Sequence, residues 1–279
     1  MKLQKAERKK VFLRLNLSAP SGAGKTYSAL LMAHGMTNDW SKIAVIDTEN
    51  GSASLYSHLG DFNVLDLVPP FSPERYIEAI ETCVQAGMEV IIIDSSSHEW
   101  SGPGGCLEMN DKLASAKYKG NTWSAWSETT PRHDAFVNKV LHTPAHVITC
   151  TRSKTETVMG EDRKVKKVGM KDIQRDGWEY ELTVSLNIDR DTHMATASKD
   201  RTGMFINADP FVVTADTGKM IKNWCDSGVE DAIYEVIGKV REAQSVEELS
   251  EIKNALSEGQ KNDVRFKDEA MKRYKQLTA

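Results

Sequence analysis

Apolar positions along the chain gather in short runs, at residues 11–17, 42–47, 64–67, 89–94 and 145–151, each bounded by small or polar residues. Their length and their β-branched content predict strands. Helical spacing of apolar positions lies between several of them, over 26–36, 73–85 and 123–140. Strands that alternate with helices predict an α/β core with a mostly parallel sheet and helices on both faces. After Glu181 the pattern changes. Residues 181–190 and 193–201 read as two paired strands with no long crossover between them, at the edge of that sheet. From Val229 onward the reading is helical, with apolar residues spaced among 11 acidic and 9 basic ones and helix-start signals at Ser245 and Ser257. The chain therefore divides into a core over 1–228 and a small helical appendage over 229–279.

Composition changes this picture by exclusion. The 279 residues carry 36 Lys plus Arg against 40 Asp plus Glu, a formal charge of −4, which rules out a uniformly basic nucleic-acid coat but not a local basic patch. Cys83, Cys106, Cys150 and Cys225 are far apart and form no CxxC or Cys/His cluster, so neither a disulfide framework nor a zinc site is expected. No apolar run approaches the length of a membrane span, and the opening residues lack the apolar stretch of a signal peptide. A soluble, cytoplasmic protein without a membrane partner is expected.

The strongest chemical signal is Ala19-Pro20-Ser21-Gly22-Ala23-Gly24-Lys25-Thr26, a P-loop pattern with Ala where the first Gly usually stands. Small residues let successive backbone N–H groups curl around phosphate oxygens, and helix onset at Gly24 aims a positive dipole end at the same anion. Lys25 reaches the β- and γ-phosphates, and the Thr26 hydroxyl ligates Mg²⁺. Ser21, Gly22, Ala23, Gly24, Lys25, Thr26 and Tyr27 are thus the expected ATP-binding set. A Gly-rich turn before an ordinary helix is the plainer alternative; the strand before and the helix after favour the phosphate reading.

Asp94 ends the buried run Val90-Ile91-Ile92-Ile93 and is the expected second holder of the magnesium. Ser95, Ser96 and Ser97 follow it where many P-loop ATPases place a catalytic Glu, and no nucleophile elbow or His/Asp pairing supports a serine nucleophile. The base must come from elsewhere. Asp47 and Glu49 end the earlier strand, whose carboxyl end shares the rim with the P-loop in a parallel sheet, so Glu49 can orient or deprotonate the attacking water. Solvated loop residues or helix caps explain the two acids equally well.

Together these residues resemble the RecA-like ATPases, which carry their catalytic Glu in a motif similar to Val45-Ile46-Asp47-Thr48-Glu49. The resemblance covers roughly residues 11–207. It implies that Tyr56 stacks on adenine, and that Thr151, with Arg152 beside it, senses the γ-phosphate where recombinases of the group use Gln. It also implies that Lys199 and Arg201, in Ser198-Lys199-Asp200-Arg201-Thr202-Gly203, reach across a subunit boundary to a neighbour's γ-phosphate, as an arginine finger does. A basic turn between strands is the alternative. The compact core with its helical tail looks most like the bacteriophage members of the group associated with single-strand annealing and recombination, which would act in the host cytoplasm.

RecA-like proteins grip DNA through loops after the Asp strand and after the sensor strand, here 101–124 and 153–175. Lys112, Lys117 and Lys119 in the first, and Arg163, Lys164, Lys166, Lys167 and Lys171 in the second, are the expected phosphate contacts, with Trp123 in the first as a stacking surface. Solvated charge runs are the plainer reading, and Glu156, Glu161 and Asp162 offset part of the charge. The resulting expectation is a Mg²⁺-dependent ATPase that assembles with itself, as ring or filament, on single-stranded DNA, with a single-strand binding or annealing protein as a further partner. The alternatives are an ATP-switched assembly or loading factor acting on a protein, and a small-molecule kinase with 153–175 as its lid.

Overall fold

The computed structural model describes residues 6–159, 165–229 and 232–278, and at 157–159, 165–169 and 232 the backbone alone. The chain forms two compact units, Phe12–Trp224 and a second that joins the segment ending at Val11 to the segment beginning at Cys225.

Among the described residues the larger unit holds nine strands: β1 (Arg14–Ala19), β2 (Ile43–Asp47), β3 (Asn63–Asp66), β4 (Val90–Asp94), β5 (His146–Met159), β6 (Val165–Asp172), β7 (Val184–Ile188), β8 (Met194–Asp200) and β9 (Phe211–Val212). Their order is β3-β2-β4-β5-β1-β7-β8-β9, with β6 paired to β5. The six strands from β3 to β7 in that order run parallel; β8, β9 and β6 add antiparallel pairs. The expected mostly parallel α/β sheet is present. Because β5 lies between β1 and β4, its residue Arg152 is level with Ala19 and reaches the rim between the P-loop and Asp94.

Every residue of β2 and β4 is buried, which explains their unbroken apolar sequence: a strand covered on both faces has no solvent side for polar residues. On one face Ala44, Ile46, Ile91, Ile93 and Val147 pack with Tyr76, Ala79 and Ile80 of α2 (Pro73–Gln85) and with Phe136 and Val140 of the long helix Thr122–His142. On the other, α1 (Lys25–Thr37) lies against β1, β2, β4 and β5 and buries Ala29, Leu30, Met32 and Ala33. The far side of α1 is pressed against helix Ala215–Asp226: a Cβ on Gly35 would lie 1.8 Å from the Ala215 carbonyl oxygen, and one on Gly218 would lie 2.0 Å from that of Met32. Only glycine permits that approach, which fixes the helix that carries the P-loop.

Two segments differ from expectation. Residues 101–124 are not a loop: α3 (Ser97–Ser101) leads into α4 (Cys106–Lys117) and then α5 (Thr122–His142). Helix α4 buries only Cys106, Asn110 and Ala114, one narrow stripe of small residues, and so gives almost no amphipathic signal in sequence. Residues 153–175 are not an open loop either. Strand β5 continues to Met159 and β6 returns antiparallel to it, with a bulge at Glu156/Thr157. Arg163 and Lys164 lie outside the described residues, as do the side chains of Lys166 and Lys167.

The smaller unit takes in the end of α6 (Ala215–Asp226) and holds α7 (Ala232–Glu242), α8 (Val246–Asn254), α9 (Glu258–Lys261) and α10 (Val264–Thr278), around Ile233, Ile237, Val240, Leu249 and Phe266. Ser245 caps α8, and Ser257 forms a capping box with Gln260 at α9. Among the described residues no helix is long and apolar enough to cross a membrane.

Candidate nucleotide site and the adjoining cleft

The P-loop joins β1 to α1 at the carboxyl rim of the sheet. Gly24 adopts φ 95°, a left-handed conformation that favours glycine, and directs the first amides of α1 outward. Lys25 is folded back, its Nζ donating to the carbonyls of Ala19 (3.0 Å) and Pro20 (3.1 Å), so phosphate oxygens would take over contacts already made to oxygen. The Thr26 hydroxyl donates to Asp94 Oδ2 at 2.5 Å. Burial above all, and the negative fields of Glu49 and Asp47 with it, push the Asp94 carboxyl up to about 6 against the pull of Thr26 and Lys25. These donors are oxygens only, and Asp94 has no ion-pair partner among the described residues. That combination fits a hard cation such as Mg²⁺, with Thr26 and Asp94 as its holders.

Around the rim, the two acids at the end of β2 have different partners. Asp47 is buried and accepts the backbone amides of Glu49 (2.6 Å) and Ala53 (2.8 Å), so it shapes the loop after β2. Glu49 instead faces the point where β5 leaves its pairing with β1, where the Arg152 guanidinium meets both carboxylate oxygens, through Nε to Oε1 at 2.8 Å and through the second fork nitrogen to Oε2. The pair is partly exposed, with the Arg152 side chain 39% accessible and that of Glu49 24%. Thr151, one residue earlier, turns the other way: its hydroxyl is buried, donates to Asn16 Oδ1 at 2.6 Å and lies 3.0 Å from Ser96 Oγ. The rim position where β5 leaves its parallel pairing with β1 thus belongs to Arg152.

A model of the AAA domain family matches residues 12–212. The chain belongs to the AAA-domain family. With the P-loop on a mostly parallel sheet, the match identifies a P-loop ATPase domain that binds nucleotide. No curated protein matches the chain.

Flanking the AAA domain's P-loop are two aromatic features. Tyr27, exposed on the first turn of α1, lies 6.1 Å from the ring of Tyr56, which follows Glu49 in the 3-10 turn Ser52–Leu59. On the other side His193, at the β7–β8 turn, holds its Nδ1 3.1 Å from the Ala23 carbonyl oxygen. Sequence reasoning missed His193, because nothing in a hairpin tip signals contact with a loop 170 residues away.

Lys199 and Arg201 sit at the other end of the sheet. Lys199 is level with Ser185, which is level with Asn16, three residues short of the end of β1, or about 10 Å along the strand. Within this chain Lys199 donates to the carbonyls of Glu179 (2.7 Å) and Tyr180, and Arg201 donates to that of Tyr180 at 2.8 Å. Neither cation reaches its own P-loop. Burial and the neighbouring Arg201 charge lower the pKa of Lys199.

The two segments expected to meet DNA converge on one cleft of about 910 Å³, lined by Trp100, Trp123, Trp126, Lys154, Lys171 and Arg175 among others. Trp100 and Trp126 stack at 5.4 Å, and Trp123 is 86% exposed. Of the expected basic residues described with side chains, Lys171 lines the cleft, paired with Asp176 at 2.9 Å. Lys112 pairs with Glu108 along α4, Lys117 pairs with Glu128 at 2.9 Å, and Lys119 occupies the turn after α4 at φ 53°. Those three are not brought into the cleft. Lys154, Arg175, Trp100 and Trp126 are, and the segment after β6 meets α5 through Arg175, which bonds Thr130 and Asp134 at 3.3 Å each.

Proposed function

We propose that this AAA domain is a Mg²⁺-dependent ATP hydrolase of the RecA-like kind that assembles with itself on single-stranded DNA, of the class used in bacteriophage recombination or annealing. The observation that carries the reading is the Glu49–Arg152 pair at the rim beside Thr26 and Asp94. Glu49 serves as the base that orients and deprotonates water. Arg152, placed beside the γ-phosphate position, exchanges the carboxylate for phosphate when nucleotide binds and so releases Glu49. Lys25 moves from its loop carbonyls to the phosphates, and Tyr56 with Tyr27 offers the purine a stacking face. The magnesium, when bound, neutralises charge on the phosphates. Lys199 and Arg201, held away from their own P-loop, supply charge to the nucleotide of a neighbouring subunit.

Base stacking on the tryptophans and phosphate contacts to Lys154, Lys171 and Arg175 suit the cleft to single strands, whose bases are free to stack. Two experiments test this. Trp123→Ala, at an exposed side chain, is expected to leave folding intact and to weaken binding of a fluorescent oligonucleotide by about 1–3 kcal/mol; unchanged affinity removes the cleft from the account. Mixing Arg201→Ala with Glu49→Gln, each inactive alone, is expected to restore part of the turnover, since mixed interfaces pair an intact Glu49 with an intact Arg201. Full activity in Arg201→Ala alone sinks the finger in trans.

A further inference from the structure

Behind the loop that follows Asp94, three helices bring together side chains that the nucleotide chemistry does not use. Glu99 comes from α3, Cys106 from the first position of α4 and His133 from the middle of α5. Glu99 and Cys106 are fully buried and His133 is 3% exposed. One carboxylate oxygen, Glu99 Oε1, lies 3.0 Å from Cys106 Sγ and 3.0 Å from His133 Nδ1. The three ligand atoms all fall within 4.8 Å of one another.

The electrostatics of this cluster call for a cation. A carboxylate removed from water needs positive charge as well as hydrogen bonds. The other hydrogen-bond partner of Glu99 is the neutral amide of Gln174, whose Nε2 is 3.4 Å away, and among the described residues no lysine or arginine pairs with it. Thiolate, imidazole and carboxylate together form a mixed sulfur, nitrogen and oxygen set. Such a set suits zinc, whose bonds to these donors run about 2.0–2.3 Å, and is unsuited to magnesium, which takes oxygen in octahedral array. In a tetrahedron with such bonds, neighbouring donors stand about 3.3–3.6 Å apart, so Cys106 Sγ and His133 Nδ1 each move away from Glu99 Oε1 to admit the ion.

We propose that Glu99, Cys106 and His133 form a binding site for one zinc-class divalent ion, separate from the magnesium of the nucleotide, with the fourth position left to water. On binding, the Cys106 thiol loses its proton to solvent, and the proton on His133 Nδ1 moves to Nε2, freeing the Nδ1 lone pair for the metal. The ion ties α3, α4 and α5 together directly beneath Trp100, whose ring meets that of His133 edge-on at 5.4 Å and stacks on Trp126. It therefore braces the aromatic wall of the cleft. Sequence spacing could not reveal it, because the ligands lie 7 and 27 residues apart on three separate helices.

The test uses the full chain without nucleotide, stripped with a chelator and titrated with Co²⁺. One equivalent of cobalt is expected to produce tetrahedral d–d absorption with a thiolate-to-cobalt charge-transfer band. Zinc should displace both, and Cys106→Ser should lack the charge-transfer band. A band from cobalt at Thr26 and Asp94, where Cys150 is level with Asp94 on the neighbouring strand, would survive in Cys106→Ser. A wild-type spectrum without the thiolate band overturns the proposal even if Cys106→Ser fails to fold, and leaves protonated His133 as the counter-charge of Glu99. A band that survives in a folded Cys106→Ser overturns it equally.

Discussion

Glu49 and Glu99 each lie a few residues past the carboxyl end of a parallel strand, yet their surroundings are opposite. Glu49 meets a guanidinium at the solvent-facing rim, in a bidentate pair that either partner can leave. Glu99 is fully buried among an imidazole, a thiol and an amide. A partly exposed ion pair contributes little to stability and is cheap to exchange for another anion or cation; a buried carboxylate is costly to disturb. On the proposed function, the comparison separates a group that works by changing partner from one that holds helices in place.

The largest expected effect falls on chemistry. Glu49→Gln removes the base while preserving shape, and ATP turnover is expected to fall about 10²–10⁴-fold with nucleotide binding retained; turnover within a few-fold of wild type would move the base elsewhere. Stability should show the reverse ranking. Glu99→Ala leaves His133, Cys106 and Gln174 without their acceptor and is expected to cost about 3 kcal/mol in denaturant unfolding, against less than about 1 kcal/mol for Glu49→Ala. Equal losses would erase the distinction.

A smaller effect concerns Asp94, whose carboxyl burial pushes up to about 6. Its folded value lies above the ordinary one, so protonation favours the fold: the nucleotide-free protein gains stability as pH falls through about 6 toward the usual carboxylate range, and loses that gain as pH rises. Mg²⁺-nucleotide binding needs the carboxylate and runs the other way. Its affinity is expected to weaken by up to about tenfold per pH unit below 6, a dependence that Asp94→Asn should abolish along with most of the affinity. A flat profile from pH 5 to 7 in the wild type would place the metal elsewhere.

Legibility in sequence followed continuity. The P-loop, Asp94 and the strands that hold them are contiguous patterns with one physical solution each, and the parallel α/β sheet could be read from them. Glu49 was legible from its motif at the end of β2, whereas its partner was not, because Arg152 arrives on a strand 103 residues later. Helix α4 hides from sequence because its buried stripe is Cys, Asn and Ala, and β6 hides because three lysines and a glycine among its eight residues leave no strand-like alternation. The Trp100–Trp126 stack and the Glu99 cluster depend on helix packing, which no local pattern encodes.

The central claim is an ATPase that works on single-stranded DNA, and steady-state ATP turnover by the full chain with Mg²⁺, measured with and without a single-stranded oligonucleotide, tests it most directly. The account predicts turnover that rises on adding DNA in wild type and stays near zero in Glu49→Gln under both conditions. Equal wild-type rates with and without DNA would contradict it and favour an ATP switch directed at a protein partner.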